Sequence, residues 1–334
     1  VKDLTFNGAN QPPEMGLRNR SLFIRRLVKV LILVFLCFVF AEVFLRVVLG
    51  LGNPVLITPD AACAYVLKPN QNIYRFFAHT RVNGDSMRSD DFAPTRPQGT
   101  IRLMFVGDSL TYGTSRVDQK QLFTEILHRD LPSIVHRPIE VLNASAGAWA
   151  PSNEISFMRS RGIFNADIVL WVVNDGDVEQ SRSTISEVGD DLPQSRPTLA
   201  LGELWSRSIR PRLMHMRSRQ DAGDSVAPNA ATTIQQNLSI FDEGNAFVEA
   251  HGARLVMIYL PFRGDVPETS ANSQTILREW TSKNHVPMMD LTAAEQTYPV
   301  NEITLDHGVH FNAKGNSIVA NAIEKLWPEA VGTQ

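Results

Sequence analysis

Five runs along the chain are short, apolar and rich in β-branched residues: "IRLMFVGDS", "IEVLNAS", "ADIVLWVVND", "ARLVMIYLP" and "VPMMDLT". Regular polar alternation is missing from them, so each predicts a strand buried on both faces, as in a parallel sheet. Between them lie "DQKQLFTEILHRDL", "PSNEISFMRSRG", "TTIQQNLSIFDEGNAFVEAHG", "SANSQTILREWTSKN" and "NAKGNSIVANAIEKLW", whose apolar residues recur at helical spacing. Strand and helix alternate from Ile101 onward, which predicts a three-layer α/β domain over residues 101–330. In such a domain, chemistry collects at the carboxyl ends of the strands.

Two stretches depart from this rhythm. Residues 27–51 are apolar apart from Lys29, Glu42 and Arg46, and Arg18, Arg20, Arg25 and Arg26 precede them. About 20 apolar residues span a bilayer, so the stretch predicts one transmembrane anchor. The basic flank places residues 1–26 in the cytoplasm and the rest outside it, in the periplasm. A cleaved signal peptide fits less well, since no small-x-small cleavage site follows, and a buried core helix conflicts with the basic flank. Residues 52–100, rich in Pro, Asn, Asp and Arg, are expected to be a linker and an extended lead-in.

The second stretch, residues 176–232, is far longer than an ordinary strand-to-helix loop. It contains Arg207, Arg210, Arg212, Arg217 and Arg219. It reads either as a solvated, partly helical insertion or as a lid or cradle for an anionic polymer or lipid headgroups.

Composition narrows the classes. The chain has 334 residues, 43% hydrophobic and 20% charged, with a net charge of −3, which gives no electrostatic case for a nucleic-acid partner. Cys37 and Cys63 form neither a disulfide framework nor a metal-type spacing. No cofactor motif occurs.

Four motifs fall at expected strand ends. "FVGDSLTYG" sets Ser109 on a tight strand-to-helix turn, where a hydroxyl is presented and a backbone N–H lies at a helix N-terminus; taken singly, Asp-Ser is equally a helix cap. "NASAGAW" offers small residues around Gly147 and Ala148 that let backbone approach a substrate oxygen. "VVND" places Asn174 where its amide can donate to an oxyanion, with an Asx-turn as the plainer reading. "LDHGVHFNAKG" supplies His307 or His310 as a base for Ser109.

In this order the motifs resemble the blocks of the SGNH, or GDSL, hydrolase family, over roughly residues 101–328. "VNGDSMRSDDF" also resembles the segment preceding the domain in membrane-anchored bacterial members. The resemblance implies a flavodoxin-like sheet and serine-dependent ester hydrolysis or acyl transfer without metal or organic cofactor. Carried over, Ser109 is the nucleophile and His310 the base, fixed by the His-x-Asn continuation. The Ser109 N–H, an N–H at Gly147 or Ala148, and the Asn174 amide line the oxyanion hole. With the anchor, this implies an ester substrate of the cell envelope, above all an acylated carbohydrate.

Three positions depart from the family pattern. Val172 stands where the third block usually has Gly. Ala148 stands where the second block has the donor Gly. The acid expected three residues before the base would fall on His307, so Asp306 lies one residue early. Either Asp306 still reaches His310, or a Ser-His dyad is completed by a backbone carbonyl. A His307–His310 metal pair lacks a third ligand. These departures also admit a different class, an anchored glycan-binding protein with a degraded site.

Overall fold

The computed structural model describes residues 17–188, 192–210, 230–263, 272–305 and 308–332. Strands β5 (Ile101–Gly107), β6 (Ile139–Ser145), β7 (Ile168–Val173), β8 (Arg254–Tyr259) and β9 (Met288–Asp290) form one sheet in the order β6-β5-β7-β8-β9. All neighbours pair in parallel. All five expected runs are therefore strands of one sheet.

Helices cover both faces, and the strand period of two decides which side chain meets which layer. Leu103, Phe105, Leu170, Val172, Val256 and Ile258 pack under α3 (Phe123–Val135) and α8 (Ala313–Ala330). Met104, Val106, Val169, Trp171, Val173, Leu255 and Met257 pack into the other core, with α4 (Pro151–Arg161), α6 (Ala230–Ala250) and α7 (Ser273–Lys283). Val172 thus belongs to a core layer, not to the crevice. Its departure from the family Gly changes packing on the far face from Trp171 and Val173.

Sheet order reverses around β5, because β6 lies on one side of it and β7 on the other. A crevice therefore opens at the carboxyl ends of β5 and β7, the usual ligand position in a doubly wound sheet.

Residues 52–100 carry more structure than a linker. Strands β1 (Ile57–Asp60) and β2 (Ala64–Leu67) form one antiparallel hairpin; β3 (Gln71–Arg75) and β4 (Ala78–Val82) form another. Ile57, Cys63, Tyr65, Val66, Leu67, Val82 and Met87 are buried in the same core as the sheet.

Helix α1 (Leu17–Val47) contains a segment, Leu22–Val47, with a mean hydropathy of 2.7 and none of its most apolar window buried. By length and composition it is able to cross a membrane. Its last turns dock on the domain. Glu42 accepts hydrogen bonds from Ala200 N (2.8 Å) and Leu201 N (3.0 Å), capping α5 (Ala200–Leu204), and Arg46 Nη2 donates to Thr198 O (2.6 Å). Glu42, read from sequence only as an interruption of the apolar run, holds the helix to the insertion.

Candidate active site

The nucleophile turn follows from two close contacts. A Cβ on Gly107 would lie 2.2 Å from Thr111 Oγ1 and 3.2 Å from Val172 O, so only glycine lets β5 turn here into α2 (Ser109–Tyr112). Asp108 caps that turn, its Oδ1 accepting from Leu110 N at 2.9 Å. Gly113, at φ 77°, ends it in a left-handed conformation that suits glycine. Ser109 is left at the mouth of the crevice.

The loop beyond is held by the lead-in. Arg88, fully buried, donates to Tyr112 O (2.5 Å), Thr114 O (2.6 Å) and Val117 O (2.7 Å). Three charge-assisted bonds to backbone carbonyls fix the segment after the nucleophile.

His310 arrives from the other side. Leu305 N donates to His310 O (2.8 Å), Thr304 bridges Phe311, and Asn312 N donates to Ile303 O (2.9 Å), which clamps the loop at both ends. Asn312 then caps α8, its Oδ1 accepting from Gly315 N at 3.0 Å. Gly315 lets the helix approach, since a Cβ there would lie 2.2 Å from Ile303 O. The sequence "HFNAKG" therefore encodes a histidine facing Ser109, a packed aromatic, a cap and a close approach in succession. His310 Nε2 lies 3.0 Å from Ser109 Oγ, within reach for proton transfer. Asp306 and His307 lie outside the described residues. We expect Gly315→Ala to reduce stability by about 1–3 kcal/mol through overpacking and to lower turnover by displacing His310. A urea melt and an ester assay on one preparation check both.

Gly147 and Ala148 line the same cavity as Ser109 and His310, a space of about 480 Å³. Their carbonyls are occupied: Tyr65 OH donates to Gly147 O (2.9 Å) and Gln180 Nε2 to Ala148 O (3.3 Å). Among the described residues, neither backbone N–H meets an acceptor. Ala148 has φ 59°, a left-handed angle that favours glycine, which gives a physical reason for the Gly of the family pattern. Here an alanine adopts it.

Asn174 is placed differently from the expectation of a side chain open to the crevice. It is buried, and its Nδ2 donates to Asp108 Oδ2 at 3.0 Å, while its Oδ1 accepts from Gly176 N at 2.7 Å. Asp108 Oδ2 in turn lies 3.5 Å from Ser109 Oγ. An amide nitrogen has a second donor, so Asn174 is in reach of the same chemistry one layer behind Ser109.

Beneath the site sit three buried carboxyls. Desolvation raises the pKa of Asp108, opposed by the Leu110 N–H and by the charge of His310. Desolvation also lifts Asp177 well above its ordinary range, helped by Asp108 and Glu154. Glu154 is pushed to about 8 by desolvation, against a hydrogen bond from Trp171 and with Asp108 adding to the rise. Asp177 Oδ2 accepts from Asn174 N at 2.8 Å, so this acid supports the third strand end. Sequence reading took Asp108 only as a helix cap and missed Asp177, Arg88 and Tyr65. The only available signal was Asp108 and Arg88 inside quoted motifs.

Among the described residues, no group of three or more His, Cys, Asp or Glu side chains is arranged to hold a metal ion.

The parallel sheet thus carries three of the motifs at the carboxyl ends of β5, β6 and β7, and the loop ahead of α8 brings the fourth to them. The domain is a three-layer α/β fold built on a five-stranded parallel sheet. No family profile and no curated protein sequence matches the chain. Solved structures resemble it at low identity. A lipase/acylhydrolase from Enterococcus faecalis is 14% identical, with a TM-score of 0.44, covering 69% of this chain and 96% of its own. TesA is 12% identical, with a TM-score of 0.45 over 69% and 99%. An acetyl xylan esterase is 14% identical, with a TM-score of 0.43 over 67% and 98%.

Proposed function

We propose that this chain is an SGNH-type serine-dependent ester hydrolase or acyl transferase, anchored by α1 and acting outside the cytoplasmic membrane on O-acyl groups of envelope or exported carbohydrate. The observation that carries the reading is the 3.0 Å approach of His310 Nε2 to Ser109 Oγ, in a cavity that Gly147 and Ala148 also line.

In the first step the Ser109 hydroxyl proton passes to His310 Nε2 as Oγ bonds to the ester carbonyl carbon. The resulting oxyanion takes hydrogen bonds from the Ser109 N–H, from Gly147 or Ala148 N–H, and from the Asn174 amide. Collapse breaks the bond to the leaving alcohol, which takes the proton from His310. Water or a sugar hydroxyl then attacks the acyl-serine, and the same histidine removes and returns the proton. Asp306 is assigned the role of orienting His310.

The location outside the membrane is supported by the basic cluster Arg18, Arg20, Arg25 and Arg26 in the first turns of α1 and by the apolar length that follows it. The test is treatment of full-length protein in detergent with a fluorophosphonate, followed by peptide mass spectrometry. We expect covalent labelling at Ser109 and a large drop in labelling rate in Asp306→Asn. Labelling indifferent to Asp306→Asn would leave a Ser-His dyad. A folded protein that never labels would favour the glycan-binding class instead.

A further inference from the structure

The catalytic cavity has a charged wall that the ester chemistry does not use. Arg75, at the end of β3, lines it together with Arg207 from the insertion. Arg75 is only 5% exposed. Its Nη2 donates to Glu203 Oε1 at 2.6 Å, but among the described residues its Nε and Nη1 find no acceptor. Glu203 is shared further. Gly52 N donates to its Oε2 at 2.5 Å, and Arg207 Nη1 lies 3.5 Å from its Oε1. One carboxylate is thus shared by Arg75, Gly52 N and Arg207, and two donor atoms of Arg75 are left over in a largely desolvated wall.

Buried charged donors without acceptors are costly, because their desolvation is not repaid by a hydrogen bond. An anion brought into the cavity would supply the missing acceptors, and a guanidinium fork suits carboxylate and phosphate oxygens. A cavity of about 480 Å³ holds a reacting ester group and such an anion together. We propose that the cavity selects esters whose acyl or alcohol part carries a carboxylate- or phosphate-type anion, bound by Arg75 with Arg207. This rests on the esterase reading above for its chemistry, but not for its binding.

Binding is therefore measured first, by calorimetry with inorganic phosphate and with succinate on full-length protein in detergent. Saturable binding of at least one is expected, weakened about tenfold or more by Arg75→Gln, as for a lost charge-assisted pair. Should Arg75→Gln not fold, Arg207→Gln is measured in its place and is expected to weaken binding several-fold. Absence of saturable binding to the wild-type protein, or binding indifferent to a folded arginine variant, overturns the proposal.

Kinetics then locate the anion. p-Nitrophenyl hemisuccinate is compared with p-nitrophenyl butyrate for the acyl side, and 1-acetylglycerol 3-phosphate with 1-acetylglycerol for the alcohol side. The anionic member of at least one pair should be preferred in kcat/KM, with the ratio falling in Arg75→Gln. Turnover without preference in either pair overturns anion selection while leaving the esterase intact. Anion binding with no turnover of any ester supports the site and overturns the esterase.

Discussion

Replacing Ser109 by alanine is expected to reduce ester turnover by about 10⁴-fold or more, and His310→Ala by a similar factor. The expectation rests on the direct 3.0 Å contact between Nε2 and Oγ. An isolated serine hydroxyl is a weak nucleophile, and its reactivity depends on a base that removes its proton as the new bond forms. The two residues act on the same proton, so their effects should not add. The double variant should be no slower than either single variant within a few-fold, whereas independent contributions would multiply. Residual activity from the oxyanion donors and substrate binding should remain above the uncatalysed rate. Folded Ser109→Ala protein with more than about a tenth of wild-type turnover would remove the serine from the mechanism, given the size of the effect expected. Multiplicative losses in the double variant would show that His310 acts on something other than Ser109.

The contrast between what could be read in sequence and what could not follows from how each residue works. Ser109 and His310 were legible because each sits in a local motif whose neighbours do local work: Asp108 and Gly107 at one turn, Asn312 and Gly315 at the other. The five strands were legible because burial on both faces demands continuous apolar runs. Residues 52–100 were not, and β3 shows why. In "QNIYR" the buried positions are Gln71, Ile73 and Arg75, so two of three inward residues are polar and the apolar alternation vanishes. Gln71 bonds Leu56 and Lys68 close by, but the partner of Arg75 lies far away, Glu203 being 128 residues from it. Neither composition nor periodicity reports such a pair. Tyr65 is similar, since its hydroxyl holds Gly147 O across 82 residues. The positive φ at Ala148 was hidden for another reason: alanine carries none of the left-handed signal that a glycine would have given.

Stability should fall steeply as pH rises from about 5 to about 8, and Glu154→Gln/Glu295→Gln should flatten that slope. Glu295 is fully buried, and neither of its oxygens finds a hydrogen-bond donor. Desolvation, with Asp175 and Asp290 adding to it against Arg263, pushes its pKa to about 9. Glu154 is driven to about 8, chiefly by desolvation. In the unfolded chain both would titrate near 4.3. Between these limits the folded protein holds protons that the unfolded chain has released. Because the native state binds more protons, the free energy of unfolding decreases with rising pH. The stabilising effect of being protonated is fully present below the unfolded pKa and is lost as pH climbs towards the folded one. Each such proton contributes about 1.4 kcal/mol per pH unit in that window. Glutamine mimics the neutral acid at every pH, and at residue 154 its side-chain oxygen can still accept from Trp171 Nε1, as Glu154 does. The double variant should therefore match the wild type near pH 5 and exceed it at pH 8, by on the order of several kcal/mol before relaxation is counted. Urea unfolding of full-length protein in detergent at pH 5, 6.5 and 8 measures the difference directly. Parallel pH profiles for the two proteins would mean that these carboxyls reach water or a counter-charge and ionise normally. Glu154 then could not be holding a proton beneath Asp108 and Asp177, and the raised pKa values of the layer under Ser109 would rest on those two aspartates alone.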